Sequence, residues 1–415
     1  MEIIGKGERK MTDLKITTVN DFDEGGILPL RSIRGGESVR VQTPTSANVI
    51  GKLNKHEDIH PESRGVNELY RTVGADDLDE AMRKSGGGRI NKDLQRKYAK
   101  TEPDELNITF TKFDEGSTLS PAHAAYLVDI HAAYSDIITV PMMPKLVREI
   151  NGDLSDANYR SLKKSIVTFL NQAEDRHPEM ALMGLIPRVG REFVKDLLDL
   201  YEDYDILAYA FDFDRCKVTT GDQLSMVQPV MRNIASRGVE EHVMTYAINA
   251  SAGRKDQEIG ARPAADISSF GLGIDIVGGQ HIPFRADAET FEQMEKSEDE
   301  EVEFRLFDMD AWVYRDIPVS DLANQFPTES RFNAEQVVER VKNAPRNGKS
   351  RLQHVVNGEL KALAAAEFRQ ELRNDNGFSS LQEKAGLTEQ AANAFEATRA
   401  EFDNERFQSG LGEFA

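Results

Sequence analysis

Short apolar runs alternate with longer amphipathic segments from about residue 107 to residue 279. The runs NITFTKF, DIITVPMMP, MALMGLIP, YDILAYAFDF, HVMTYAIN and GIDIVGG have strand length, which predicts short strands. Between them, apolar residues recur at helical spacing. In REFVKDLLDLYEDY, for example, one helical face carries Phe193, Val194, Leu197, Leu198 and Tyr201. The pattern therefore predicts strands and helices in regular alternation.

Such alternation is typical of parallel strands joined by helical crossovers, in a closed barrel or in a doubly wound sheet. No GxGxxG follows the first strand and no GxxxxGK[ST] occurs, so neither dinucleotide nor P-loop chemistry is supported. We predict an α/β fold, a (β/α)8 TIM-like barrel over residues 66–320. Residues 1–65 are predicted to be a loop-rich β segment, residues 66–100 are helical in composition, and residues 321–415 are predicted to be a C-terminal helical appendage.

The composition indicates the location of the protein and excludes some kinds of site. No apolar stretch approaches the 18 or so residues that span a bilayer, and the start of the chain has no signal-peptide pattern. Cys216 is the only cysteine, so an internal disulfide and a cysteine-rich zinc site are both excluded, and a reducing cytoplasm is the expected location. The net charge of −20 argues against indiscriminate nucleic-acid binding but leaves room for a local basic patch.

Two basic stretches stand out in this acidic chain. Residues 83–100 hold seven basic residues against one acid, Asp93, and surround the triplet Gly86-Gly87-Gly88. The second stretch is KNAPRNGKSR, residues 342–351. Each stretch is also compatible with a flexible linker or a polar loop. If they bind nucleic acid, the expected contacts are Lys84, Arg89, Lys92, Arg96, Lys97, Arg346, Lys349 and Arg351.

Several acids follow predicted strands, where the reactive groups of an α/β barrel lie. They are Asp212, Asp214, Asp275, Asp308 and Asp310. A carboxylate in such a cleft acts as a nucleophile or a general base, whereas elsewhere it caps a helix or pairs with an arginine. His281, just past GIDIVGG, is a candidate proton relay or a structural residue. No HExxH or DxDxDG motif is present, so no metal is expected.

Three stretches resemble the tRNA-guanine transglycosylases, in the right order over about residues 80 to 370. They are TFTKFDEGSTLSPAHAAYLVDIHAAYSDIITV, ALMGLIPRVGREFVKDLLDLYEDYDILAYAFDF and RLFDMDAWVYRDIPVSDLANQFP. In the first stretch the match is carried by Asp114, Gly116, Leu119, Ser120, Pro121, Ser135, Asp136 and Ile137. Relatives in viruses and mobile elements modify DNA in the same way, so the target is DNA or tRNA.

The resemblance implies a (β/α)8 barrel that exchanges guanine in a nucleic acid for a 7-deazaguanine such as preQ0, through a covalent aspartyl intermediate. It places Asp308 at the nucleophile, with Asp275 as the rival because GIDIVG also resembles the family's nucleophile strand, where Gly278 replaces the acid. It implies no cofactor, a nucleic-acid partner and a possible homodimer. The substrate-binding residues expected are Ser85, Gly86, Gly87 and Asp136 from the resemblance, together with Asp212 and His281 from their places after predicted strands.

Three family features are changed in this chain. Lys84 stands where the acid of the family's Asp-Ser-Gly-Gly motif would be, the stretch FPTESRF lacks the zinc cysteines, and Ile186-Pro187-Arg188 replaces the substrate-reading Val-Gln-Gly. Two alternatives therefore stay open. One is a non-catalytic nucleic-acid-binding or assembly protein on a degenerate barrel, and the other is an unrelated barrel enzyme that acts on a small molecule.

Overall fold

The computed structural model describes residues 14, 16–19, 26–34, 36–44, 59–84, 87–153, 156–282, 303–343 and 346–412, without the side chains of residues 153, 346–348 and 409–412. The strands in chain order are β1 (Thr17–Thr18), β2 (Arg31–Ile33), β3 (Gly36–Glu37), β4 (Arg40–Val41), β5 (Val66–Val73), β6 (Leu106–Phe113), β7 (Ile137–Thr139), β8 (Ala181–Ile186), β9 (Ala208–Asp212), β10 (Met244–Ile248), β11 (Arg262–Pro263), β12 (Ile276–Val277), β13 (Glu303–Asp308) and β14 (Val313–Pro318).

Eight of these strands form one parallel sheet in the spatial order β4-β12-β10-β9-β8-β7-β6-β5. The two edge strands approach each other, because the Thr43 amide donates to the Val66 carbonyl at 2.8 Å. The sheet is thus a nearly closed barrel of sequential strands. The predicted α/β TIM-like barrel is confirmed.

The helices are α1 (Ala75–Arg83), α2 (Gly88–Tyr98), α3 (Pro121–Tyr134), α4 (Pro144–Asp153), α5 (Asp156–Arg176), α6 (Arg191–Asp203), α7 (Gly221–Arg237), α8 (Leu322–Gln325), α9 (Ala334–Asn343), α10 (Arg346–Arg373), α11 (Gly377–Gln382) and α12 (Glu389–Gly412). Helix α3 begins as its sequence predicts, since Ser120 accepts from the His123 amide at 3.2 Å and Pro121 takes the first helical position. Short 3₁₀ helices span Pro61–Ser63 and Ile267–Leu272.

The barrel begins earlier and ends earlier than its sequence suggests. Strand β4 lies inside the segment 1–65, and strand β5 covers the start of a segment of helical composition. Strands β13 and β14 belong to a separate three-stranded antiparallel sheet with β11. Residues 303–318 therefore contribute no barrel strand, which changes the setting of every acid in that stretch.

The C-terminal helices pack on the barrel. Helix α10 lies against β4, β13 and the 3₁₀ helix Pro61–Ser63, and helix α12 lies against α7 and the 3₁₀ helix Ile267–Leu272. Both helices carry fully buried side chains, including Val356 and Leu360 on α10 and Phe395 and Phe402 on α12. They complete the helical ring beside β12 and β4, so the expected appendage is an integral layer of the barrel. In the described ranges, no helix is long and apolar enough to cross a membrane.

Strand register decides which side chains enter the barrel. Tyr70 is paired with Phe110, Ala210 with Tyr246, and Asp212 with Ile248, so these residues share the interior face of their strands. Gly184 faces outward instead, where an added Cβ would lie 2.7 Å from the ring of Tyr201 on α6. The interior is therefore apolar and aromatic at mid-height and becomes polar toward the carboxyl ends of the strands.

Candidate active site at the carboxyl end of the barrel

The carboxyl ends of the parallel strands meet at one rim, and polar side chains from four neighbouring segments converge there. Asp212 ends β9, Asn249 directly follows β10, and His281 follows β12 by four residues. Glu68 reaches the same place from within β5. We call Glu68, Asp212, Asn249 and His281 the rim cluster.

Glu68 is fully buried and accepts hydrogen bonds from three directions. Its Oε1 accepts from the Tyr246 hydroxyl and from the Gly279 amide at 2.8 Å, and its Oε2 is bonded to His281 Nε2. Gly278 and Gly279 make this possible, because a Cβ on Gly278 would overlap Glu68 Oε1 and the Tyr246 ring. The buried carboxylate is thus held by a hydroxyl, an amide and an imidazole, as a buried charge requires.

The cluster continues from His281 to Asp212 through Asn249. The His281 backbone amide donates to Asn249 Oδ1 at 2.8 Å, and Asn249 Nδ2 donates to Asp212 Oδ1 at 2.9 Å. Asn249 has a φ of +59°, a conformation that asparagine tolerates better than most residues. The imidazole of His281 stacks on the Tyr70 ring, with centroids 4.1 Å apart and planes 3° apart. Asn249 and Tyr70 therefore hold the side chains of Asp212 and His281 in place.

Burial and neighbouring charge alter the acidity of two groups at the rim. Burial raises the pKa of Asp212 to about 6, although hydrogen bonds from Asn249 and from the Asp214 amide act in the opposite direction. Burial likewise raises the pKa of Tyr70, and the charges of Asp212, Asp114 and Glu68 add to this effect. A carboxyl group that titrates near pH 6 is suited to proton transfer, or to attack as a carboxylate at neutral pH.

Two cavities open beside the rim cluster. One, of about 190 Å³, has Asp212 in its wall together with Arg148, Arg188 and the apolar Val147 and Leu185. We call it the Asp212 cavity. The other, of about 300 Å³, is lined from the barrel side by Gln42, Gly279 and His281 and from helix α10 by Arg351 and His354. We call it the His281 cavity. The cluster thus forms a polar wall with space on either side.

Of the acids predicted to take part, Asp275 and Asp136 lie at the opposite end of the barrel. Each directly precedes a strand, Asp275 before β12 and Asp136 before β7, so both sit at the amino ends. Asp275 is buried, pairs with the fully buried Arg31, and accepts from the Thr245 amide at 2.8 Å. Asp136 pairs with Arg34 and accepts from the Asn107 amide at 2.8 Å. Their setting is that of structural ion pairs remote from the rim.

Asp308 also lies away from the rim, at the end of β13 in the separate sheet. Its Oδ1 accepts from the amides of Asp310 and Ala311 at 3.1 and 3.0 Å, and its Oδ2 pairs with Arg315 at 2.9 Å. Asp310 is exposed in the turn that follows. Asp308 therefore organises the turn between β13 and β14, and the resemblance that placed it at the nucleophile is not matched by its position.

Residues 83–100 form the outer helices α1 and α2, and several of their cations already have partners. Lys84 pairs with Glu80, and both Arg96 and Lys97 pair with Asp93, at 2.7 and 3.1 Å. Arg89 and Lys92 are exposed on α2. These helices follow β5 on the outside of the barrel, so they do not form a basic channel over the rim cluster.

Gly87 separates α1 from α2 with a φ of +72°, and its carbonyl accepts from the Tyr126 hydroxyl of α3 at 2.8 Å. Its position is that of a helix–helix turn in the outer layer. In the second basic stretch, Lys349 is half-buried and Arg351 is exposed at the His281 cavity. Ser85, Gly86 and the side chain of Arg346 lie outside the described residues.

Sequence reasoning located Asp212 and His281 but missed Glu68, Asn249 and Tyr246. Glu68 lies in a stretch of helical composition, although Val66, Tyr70, Thr72 and Val73 are strand-forming residues that could have revealed β5. Asn249 directly follows the apolar run HVMTYAI, the same signal that selected Asp212. Within the described ranges, no group of three or more histidines, cysteines or acids could hold a metal ion.

Comparison with known proteins assigns neither a family nor an activity to this chain. No protein-family model matches the sequence, and no curated protein matches it. Among solved structures, the carboxyl transferase domain of Rhizobium etli pyruvate carboxylase is similar at 10% identity and a TM-score of 0.32, over 96% of this chain and 67% of that one. The enoyl reductase domain of MlnA from Bacillus amyloliquefaciens is similar at 10% identity and a TM-score of 0.26, over 84% of this chain and 96% of that one. TM-scores this low carry no argument about the reaction.

Proposed function

We propose that this chain is a transglycosylase-like enzyme that exchanges guanine for a 7-deazaguanine in a nucleic acid, with Asp212 as the nucleophile. The observation that carries the proposal is the position of Asp212. Among Asp136, Asp212, Asp275 and Asp308, it alone lies at the carboxyl end of a barrel strand. The type of reaction comes from the sequence resemblance to the tRNA-guanine transglycosylases.

The proposed reaction has two steps that balance in atoms and charge. The Asp212 carboxylate attacks C1′ of the nucleotide, the bond from C1′ to guanine N9 breaks, and guanine leaves with a proton. The incoming 7-deazaguanine then loses its N9 proton and attacks C1′, which releases the carboxylate. A pKa of about 6 leaves Asp212 mostly ionised at pH 7, as a nucleophile requires.

The bonded pair of His281 and Glu68 is the proposed proton donor and acceptor. It would take the role of the acid that Lys84 replaces in the family motif. The Asp212 cavity is the proposed site of the base, since its apolar wall suits a flat heterocycle and its polar wall contains the nucleophile. Exchange of one base for another needs no oxidant and no cofactor.

The test is incorporation of labelled preQ0 or guanine into a DNA oligonucleotide or tRNA. We expect label to enter one of the two nucleic acids with the intact protein, and none to enter with Asp212→Asn. Asp308→Asn is the matched control, because its carboxylate lies in the turn between β13 and β14, and it should retain activity. The proposal is abandoned if the intact protein labels neither nucleic acid, or if Asp212→Asn labels as fast as the intact protein.

An enzyme that acts on a small molecule is the second candidate, and the His281 cavity favours it. Its volume of about 300 Å³ is at the lower limit of small-molecule sites, and the cations of α2 lie outside the barrel. Incorporation assays with free nucleosides in place of nucleic acid separate the two candidates. Exchange on a free nucleoside, with none on DNA or tRNA, would favour the small-molecule enzyme.

A further inference from the structure

The His281 cavity has a chemical character of its own. Its barrel side presents the loop after β12 and Gln42 after β4, and its outer side presents the first turns of helix α10. Its volume of about 300 Å³ is at the lower limit of small-molecule sites, and a bare ion would leave most of that space empty. The cavity therefore suits a compact polar group attached to something larger.

Arg351 is the one arginine or lysine among the described residues that line this cavity, and two further cations lie nearby. The Arg351 guanidinium is exposed at its wall and makes no ion pair with any residue in the described ranges. Lys349 is half-buried two residues earlier on α10, and Arg215 donates to the Ile282 carbonyl at 3.3 Å, next to His281. In a chain of net charge −20, this is a local excess of positive charge.

His354 adds a hydrogen-bonding group on the same helix. His354 is exposed and lies in the wall of the cavity. Glu68, the acid nearest the cavity floor, already accepts from Tyr246, Gly279 and His281. The charged group that the cavity offers to a ligand is therefore a cation, and a complementary ligand is an anion.

We propose that the His281 cavity binds a phosphate group of a nucleotide, with Arg351 as the principal contact and His354 as a second hydrogen-bonding partner. A guanidinium binds two phosphate oxygens at once, which gives orientation as well as affinity. The phosphate belongs to a free nucleotide or to a nucleic-acid backbone. Its placement next to Asp212 during base exchange rests on the proposed function, whereas phosphate binding is measurable without turnover.

The experiment measures equilibrium binding by calorimetry, with GMP, guanosine and inorganic phosphate as probes. We expect the intact protein to bind GMP more tightly than guanosine, and Arg351→Gln to weaken GMP binding about 10- to 100-fold while leaving guanosine binding unchanged. Arg89→Gln is the matched control, since Arg89 is also exposed but lies on the outer helix α2, and it should bind GMP as the intact protein does.

The proposal fails if GMP binds no more tightly than guanosine, or if Arg351→Gln binds GMP as tightly as the intact protein. A 5′-phosphorylated oligonucleotide distinguishes the sources of the phosphate. Tighter binding of the oligonucleotide than of GMP supports a nucleic-acid backbone, and the reverse supports a free nucleotide. If GMP binding depends on Arg351 while neither nucleic acid is labelled in the exchange assay, the phosphate site stands and the proposed base exchange does not.

Discussion

Asp212 shows how one side chain acquires acid–base character from its surroundings. Its burial at the end of β9 disfavours the charged form, and the hydrogen bond from Asn249 partly offsets this effect. The result is a pKa of about 6, roughly two units above the ordinary value for aspartate of 3.9. Asn249 is thus a positioning residue that also adjusts the acidity of its neighbour.

This balance predicts the pH dependence of catalysis. The proposed reaction requires the Asp212 carboxylate, so kcat/KM should rise with pH through about 6 and level off above it. Asn249→Ala removes a hydrogen bond that favours the charged form, so the midpoint should move up by about one pH unit. The measurement is kcat/KM for base incorporation between pH 5 and 8.

Asn171→Ala serves as the control for that experiment. Asn171 accepts from the Tyr204 hydroxyl at 2.7 Å on the outer surface of α5, away from the rim. Its midpoint should stay near that of the intact protein. An unchanged midpoint in Asn249→Ala would show that Asp212 does not control the pH dependence.

At the scale of the elements, the acids at the two ends of the barrel strands have different roles. The carboxyl ends hold the rim cluster, whereas the amino ends hold Asp275 and Asp136, each paired with an arginine from the N-terminal segment. Arg31 lies in β2 and donates to the Glu240 carbonyl as well as to Asp275. These contacts attach β2 to the base of the barrel between β10 and β12.

Asp275→Ala should therefore destabilise the fold, because it removes the partner of a fully buried arginine. A loss of activity in this variant would not identify Asp275 as the nucleophile. Breaking a buried pair from one side costs about 3–5 kcal/mol of the free energy of unfolding. Asp308→Ala is the control, since its pair with Arg315 is partly exposed, and its cost should be about 1 kcal/mol. Urea denaturation of the two variants gives both values. Equal stability of Asp275→Ala and the intact protein would remove the structural role assigned here.

The elements also show what a sequence pattern can and cannot reveal. Helix α6 was predictable because its apolar residues recur at helical spacing, and strands such as β8 and β9 because they are short apolar runs. Strand β5 escaped detection because Asn67, Glu68 and Arg71 interrupt its apolar residues. A buried acid is stable there because Tyr246, Gly279 and His281, distant in sequence, supply its partners.

The sequence predicted residues of the candidate site only where it predicted the ends of strands. Asp212 followed from its place after an apolar run, but the same rule also selected Asp308, whose strand belongs to a different sheet. Strand pairing depends on contacts between residues that are distant in sequence. The periodicity of one strand therefore does not show which strand it pairs with. The local pattern therefore gives strand ends, and the topology decides which of them share a rim.

At the scale of the whole molecule, the C-terminal helices belong to the barrel. Helix α12 covers α7 and the 3₁₀ helix Ile267–Leu272, and a Cβ on Gly271 would lie 2.7 Å from the Phe395 ring. Helix α10 has two roles, because its buried face covers β4 while its first turns line the His281 cavity. Stability of the C-terminal region and access to the candidate site are consequently linked through one long helix.

If α12 is an integral layer, truncating its buried face should destabilise the entire barrel. Phe395→Ala removes a ring that is 1% exposed, and the resulting cavity should cost about 3–5 kcal/mol of the free energy of unfolding. Phe407→Ala on the same helix is the matched control, since Phe407 is 69% exposed, and its cost should stay within about 0.5 kcal/mol. Urea unfolding followed by circular dichroism should show one transition for both variants, displaced to lower urea only in Phe395→Ala. A separate early transition confined to part of the helical signal would mean that α12 unfolds independently, as an appendage would, and that the barrel is stable without it.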